Sequence, residues 1–96
     1  MKNIKQIKWD ERTKQGLVGN QTDCLPLDFN RKVEIEMKVS SVYQGNKVHL
    51  EILEETSDNK YIATITGFDT PGTTYKDIAI DDEVYINREY ICWLRL

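Results

Sequence analysis

The sequence has few of the residues from which metal sites and disulfide frameworks are built. Among its 96 residues there are two cysteines, one histidine and two prolines. Cys24 and Cys92 lack the CxxC spacing of a metal-binding pair, and a single His49 cannot supply a histidine-rich zinc site. We therefore expect no metal and no cofactor. In a reducing compartment both cysteines are expected to be free thiols.

The sequence also lacks a long hydrophobic run. The longest, Ile91–Leu94, is far shorter than the roughly 20 residues of a membrane-spanning helix. The opening MKNIKQIKWDERTK is charged throughout and has no apolar core of a secretion signal. The expected location is therefore the cytoplasm, with no contact with a membrane.

Motifs for catalysis are missing as well. The segment QGLVGNQ has neither the glycine spacing nor the following helix of a phosphate-binding loop. Ser40 and Ser41 have no base beside them in the sequence, and a cysteine–histidine pair would need Cys24 or Cys92 to fold against His49. We expect a protein that is not an enzyme.

Charge is unevenly distributed along the chain. Residues 1–32 carry seven basic and four acidic side chains, whereas residues 33–96 carry six basic and twelve acidic ones. The sequence therefore predicts a basic N-terminal arm, 1–32, that packs on an acidic domain, 33–96. Such a charge distribution bears on partners rather than on fold. Either the arm neutralises its own domain, or the acidic domain meets a basic partner.

From residue 33 onward, apolar side chains alternate with polar ones, as in half-buried strands. In VEIEMKVSSVY the alternation predicts a buried face that includes Val33, Ile35 and Met37. A two-residue turn at Gly45-Asn46 would pair Val39 with Ile52 and keep the apolar faces together. A second turn at Asp58-Asn59 would pair Ile52 with Ile65 and add Tyr61 and Ala63 to the same face.

Two further short strands are expected around Val84–Ile86 and Tyr90–Leu94, joined at Asn87-Arg88-Glu89. No segment has the 3.6-residue period of a long helix, so any helix should be a single turn, near Thr74–Ile78 or Asp10–Gln15. This order predicts an all-β fold: a small five- to six-stranded antiparallel barrel that resembles SH3-like domains. The alternative is an OB-like barrel without its helix.

The face of this sheet opposite the core is expected to be unusually apolar. The predicted pairing gathers on it Val42, His49, Leu53, Ile62 and Phe68. Contiguous exposed apolar patches usually mark contact surfaces. Alternatively, the N-terminal segment covers the patch with Ile4, Ile7, Trp9, Leu17 and Val18.

The long connection from Asp69 to Asp82 predicts a lip over one rim of the barrel. Pro71 and Gly72 favour a turn, and the alternation around Ile78 and Ile80 indicates that the connection is partly anchored. Tyr75 is the best contact candidate there because it has an apolar ring and a polar tip. Trp93 is expected at the same rim.

These features predict a non-enzymatic binding module that recognises a protein or peptide, or pairs with itself as a homodimer. Its contact residues would be Val42, His49, Leu53, Ile62, Phe68, Tyr75 and Trp93. The alternative is a nucleic-acid-binding barrel that uses its exposed aromatics and the basic side chains of the arm: Lys2, Lys5, Lys8, Arg12 and Lys14. The acidic domain argues against that alternative, since phosphate affinity rests on clustered lysine and arginine.

Overall fold

The computed structural model of the chain describes residues 3–10, 24–26, 32–69 and 74–95. They form one antiparallel sheet of six strands: β1 (Cys24–Pro26), β2 (Lys38–Tyr43), β3 (Asn46–Ser57), β4 (Lys60–Phe68), β5 (Glu83–Asn87) and β6 (Trp93–Arg95). The order across the sheet is β1-β6-β2-β3-β4-β5. The prediction of an all-β antiparallel fold is confirmed. The edge strands β1 and β5 do not pair with each other, so the sheet does not close into a barrel.

The turn between β2 and β3 lies one residue earlier than predicted. Gln44 and Gly45, with φ of 50° and 80°, occupy its two central positions, as a type I′ hairpin turn requires. Val39 consequently pairs with Leu50 rather than with Ile52. Moving the turn by one residue moves the pairing by two. Because the side-chain period of a strand is also two, the predicted buried face is preserved.

The turn between β3 and β4 is at Asp58-Asn59, as predicted. Three β-bulges then interrupt the pairing of these strands, so that Ile52 faces Ala63 instead of Ile65. One bulge leaves Thr66 without a partner, and it brings Val48 opposite Phe68. A bulge inserts one residue into a strand. Phe68 therefore lies on the core side and not, as predicted, on the opposite face.

The predicted start of the first long strand is wrong. Residues 34–37 form a β-turn, closed by the amide of Met37 donating to the carbonyl of Glu34 at 3.2 Å, and β2 begins only at Lys38. Ile35, which the alternation predicts to be buried, is 61% exposed. Val33 is buried, in agreement with the prediction.

The strands at the C-terminal end do not form the predicted pair. β5 pairs with β4, whereas β6 lies between β1 and β2. The single helical turn in the described part of the chain is a 3₁₀ turn at Arg88–Tyr90, and residues 74–78 are not helical. Most of the other predicted helical segment, Asp10–Gln15, lies outside the described residues.

The core covers one face of the sheet. Its fully buried members include Val39, Val48, Leu50, Ile52, Ala63, Ile65, Val84 and Ile86. Residues 5–10 cross this face from β5 to β2. At β5 the amide of Tyr85 donates to the carbonyl of Lys5 at 2.9 Å, and at β2 the amide of Asp10 donates to the carbonyl of Val42 at 3.0 Å. Trp9 is buried in the core on the way.

Candidate functional site

The most exposed large hydrophobic side chain of the described residues belongs to Ile35. It lies at the second position of the turn 34–37, and Glu36 at the third position has a φ of 72°. A positive φ there is the mark of a type II turn. The amide of Glu36 donates to the carbonyl of Ile52 at 2.7 Å, and the amide of Ile52 donates to the carbonyl of Met37 at 3.0 Å. These bonds hold the turn beside β3, one residue before Leu53.

Leu53 is itself exposed, at 36%, and it is unpaired at a bulge of β3. The acidic side chains that flank the two aliphatic ones are all exposed: Glu34, Glu36, Glu54 and Glu55. We call these six residues, 34–36 and 53–55, the acidic corner. Its composition is that of a contact surface with an apolar centre and a charged rim. Leu53 was among the predicted contact residues, whereas Ile35 was missed because EIEM reads as part of a strand.

A second cluster lies on the outer face of the sheet, which is the face opposite the core. Val42, Cys92 and Trp93 form a small buried apolar group there. The ammonium of Lys47 lies over the indole of Trp93, with Nζ 4.3 Å from the ring centroid. Lys47 pairs with Val42 across the strands and is only 7% exposed. Cys92 is not in a disulfide.

Three polar side chains adjoin this group on the outer face. Ser40 Oγ and His49 Nδ1 share a hydrogen bond of 2.7 Å, and His49 Nε2 lies 3.8 Å from a carboxylate oxygen of Asp69. The residue types are those of a hydrolase triad, and the sequence alone does not place Ser40 beside a base. The hydroxyl of Ser40 has no exposed surface, and Nε2 is too far from Asp69 for a hydrogen bond. The cluster therefore orders the sheet rather than presenting a nucleophile.

The remaining predicted contact residues are dispersed. Phe68 and Tyr75 are half-buried on the core side, in a row of aromatic rings with Trp9 and Tyr43. Successive ring centroids in the row Trp9–Tyr43–Tyr75–Phe68 are 5.9, 5.4 and 5.2 Å apart. Trp93 is buried rather than at a rim. Tyr75 thus anchors residues 74–82 to the core.

The prediction that five residues form one exposed patch is therefore corrected. Val42 and Ile62 are each 7% exposed, and His49 is 9% exposed. Phe68 is on the other side of the sheet, and only Leu53 is exposed. Of the N-terminal side chains expected to cover this face, Ile7 and Trp9 pack on the core side instead. Leu17 and Val18 lie outside the described residues.

The basic side chains predicted for nucleic acid are only partly described. Lys5 is committed to the protein itself: its Nζ is 2.7 Å from a carboxylate oxygen of Asp82 and donates to the carbonyl of Asp77 at 2.9 Å. Lys8 is exposed. Lys2, Arg12 and Lys14 lie outside the described residues.

Within the described ranges, no group of three or more histidine, cysteine, aspartate or glutamate side chains is arranged to hold a metal ion. Nor does the described part of the chain include a helix long and apolar enough to cross a membrane. One open depression of about 360 Å³ is lined by charged and amide side chains of mixed sign: Asp58, Asn59, Lys60, Asn87, Arg88 and Glu89.

Comparison with known proteins returned no matching family model, no matching curated protein and no matching solved structure.

Proposed function

We propose that the protein is a non-enzymatic binding module that docks a basic protein or peptide segment against the acidic corner. One observation carries the proposal: the turn that presents Ile35, 61% exposed, is hydrogen-bonded to Ile52, the residue before the exposed Leu53, and glutamates adjoin both aliphatic residues in the sequence. Exposed aliphatic side chains lose unfavourable contact with water when a partner covers them. The surrounding carboxylates select a partner of opposite charge and speed the encounter.

The charge of the corner also separates this proposal from its alternatives. A second copy that docks symmetrically would bring glutamates against glutamates, which disfavours a homodimer through this surface. A nucleic acid would meet the same repulsion from its phosphates. We also propose that the fold resembles a small SH3-like barrel. This resemblance is supported by residues 5–10, which link β5 to β2 across the core. A cytoplasmic location is supported by the low cysteine count.

The test uses a short fluorescein-labelled peptide that alternates lysine and leucine, and its glutamate–leucine counterpart. Anisotropy should show binding of the lysine peptide only, weakening as salt rises. The double variant Ile35→Ser, Leu53→Ser should weaken this binding by at least about tenfold, which corresponds to about 1.4 kcal/mol. Ile80→Ser is the matched control, because Ile80 is also exposed, at 53%, but lies outside the corner.

Equal binding by the double variant and the Ile80→Ser control would refute a role for the corner. A mixed-sequence single-stranded oligonucleotide in the same assay tests the nucleic-acid alternative. That alternative requires the oligonucleotide to bind and to stay bound when the lysine peptide is added. Light scattering on the wild type tests the homodimer. If the wild type is a dimer and Ile35→Ser disrupts it, the partner of the acidic corner is a second copy of the chain and not a basic protein or peptide.

A further inference from the structure

Lys47 is a buried cation for which the described part of the chain provides no hydrogen-bond acceptor. The residue lies on β3 and its side chain is on the outer face, with Val42 opposite it on β2. Nζ has essentially no exposed surface, and none of the residues that the structure describes accepts a hydrogen bond from it. Buried ammonium groups in proteins are normally paired, because transfer of an unpaired charge out of water is very costly.

The neighbours of Lys47 satisfy this charge only in part. The indole of Trp93 contributes a cation–π contact at 4.3 Å, but an ammonium has three donors and a ring offers them no lone pair. The acidic residue Asp69 is bonded to Lys47 through the backbone, its amide donating to the carbonyl of Lys47 at 3.1 Å. Its carboxylate is directed toward His49 at 3.8 Å and remains 46% exposed.

We propose that Lys47 and Trp93 form a binding site for an oxyanion, either a carboxylate or a phosphate. An oxyanion supplies the acceptors that the ammonium lacks, and the indole fixes the direction in which the ammonium points. Binding requires rotation about the flexible bonds of the Lys47 side chain, which brings Nζ toward the outer surface. The site is separate from the acidic corner and does not depend on the function proposed for it.

The test is a titration of the full chain with sodium phosphate, and separately with sodium acetate, against sodium chloride at equal ionic strength. Nuclear magnetic resonance should show a saturable shift of the Trp93 indole N–H, with the Trp9 indole unchanged. The melting temperature should rise with the same anion. A response to phosphate alone indicates a phosphate site, and a response to acetate alone indicates a carboxylate site.

Lys47→Met should abolish the shift and the rise in melting temperature, whereas Lys60→Met, at an exposed lysine, should retain both. Lys47→Arg keeps the charge and should retain binding. The proposal is overturned if neither anion gives a saturable shift at Trp93, or if Lys47→Met responds like the wild type. If Lys47→Met does not fold, the wild-type titration and Lys47→Arg decide the question, because a purely structural lysine gives no anion response in either.

Discussion

At the scale of single residues, the most unusual feature is a set of side chains in left-handed backbone conformations. Glu36, Gln44, Asn59 and Asp81 all have positive φ, between 50° and 76°. Asparagine and aspartate tolerate this region because their short polar side chains bond to the local backbone. Glutamate tolerates this region less well, so glycine would occupy the position of Glu36 in the type II turn at a lower cost in free energy. The turn that presents Ile35 is therefore a strained one.

Glu36→Gly should stabilise the protein. Relief of the left-handed strain is worth about 1–2 kcal/mol, and the greater freedom of glycine in the unfolded chain offsets about 0.4–1 kcal/mol of this. A net gain of about 0.5–1 kcal/mol is expected from denaturant unfolding. Glu34→Gly removes the same charge from the same turn without a positive φ to relieve, so it should lower stability. A loss of stability in both variants would contradict the strain argument.

At the scale of elements, residues 74–82 are the described part of the connection from β4 to β5, and they are attached at several points. The hydroxyl of Tyr43 donates to a carboxylate oxygen of Asp77. The amides of Asp81 and Ile65 donate to the carbonyls of Ile65 and Asp82 at 2.8 and 2.9 Å. Ile78, in the same segment, is buried. The interpretation of residues 69–82 as a partly anchored connection thus agrees with the described part, 74–82, while Pro71 and Gly72 lie outside it.

The ion pair between Lys5 and Asp82, at the end of this connection, makes the stability of the fold depend on pH. The hydrogen bond from Lys5 is the main cause that lowers the pKa of Asp82 below its ordinary value of 3.8. The unfolded carboxyl therefore takes up a proton at a higher pH than the folded one. The stabilisation is complete above that ordinary value and is lost as the pH falls through the lower, folded pKa.

Lys5→Met should lower stability at neutral pH and flatten the acid limb of the stability curve below about pH 4. The pair is partly exposed, with side-chain exposures of 41% and 27%, so the loss should stay below about 1 kcal/mol. Lys8→Met, at an exposed lysine of the same segment, is the control. Urea unfolding between about pH 2 and 7 measures the difference, and the same curve for both variants would contradict the ion pair.

At the scale of the whole molecule, the N-terminal residues complete the core. Trp9 is 4% exposed, and its indole Nε1 donates to the carbonyl of Tyr85 at 2.9 Å. The carboxylate of Asp10 accepts the amides of Gln44 and Gly45 at 3.2 and 2.8 Å, which ties the segment to the β2–β3 turn. Residues from opposite ends of the chain thereby hold one face of the sheet together.

Trp9→Ala should cost about 3–5 kcal/mol, as is typical of a buried tryptophan. Trp9→Phe retains most of the apolar contact and loses the hydrogen bond to Tyr85, so its cost should be smaller, with about 0.5–1.5 kcal/mol from that bond. Thermal unfolding of both variants measures the difference. A Trp9→Ala variant with the wild-type midpoint would show that this segment does not contribute to the core.

The alternation of side chains determined much of the sheet. It predicted the buried face of β2 to β4, because a strand exposes every second residue to the same side whatever its partner. It also predicted the Asp58-Asn59 turn and, of the acidic corner, Leu53. The division of the chain into 1–32 and 33–96 stays a prediction, although β1 at Cys24–Pro26 pairs with β6 and so belongs to the sheet.

Only the tertiary structure decided where that periodicity fails. The bulge at Thr66 moved Phe68 to the core side, because one inserted residue reverses the alternation of the side chains beyond it. The turn at 34–37 takes Ile35 out of the strand and exposes it to solvent. The contact of Lys47 with Trp93 joins strands that are distant in sequence, whereas that of Ser40 with His49 depends on the one-residue shift of the β2–β3 turn. Residue order specifies each strand's two faces, but the packing of the strands decides which side chains meet across them.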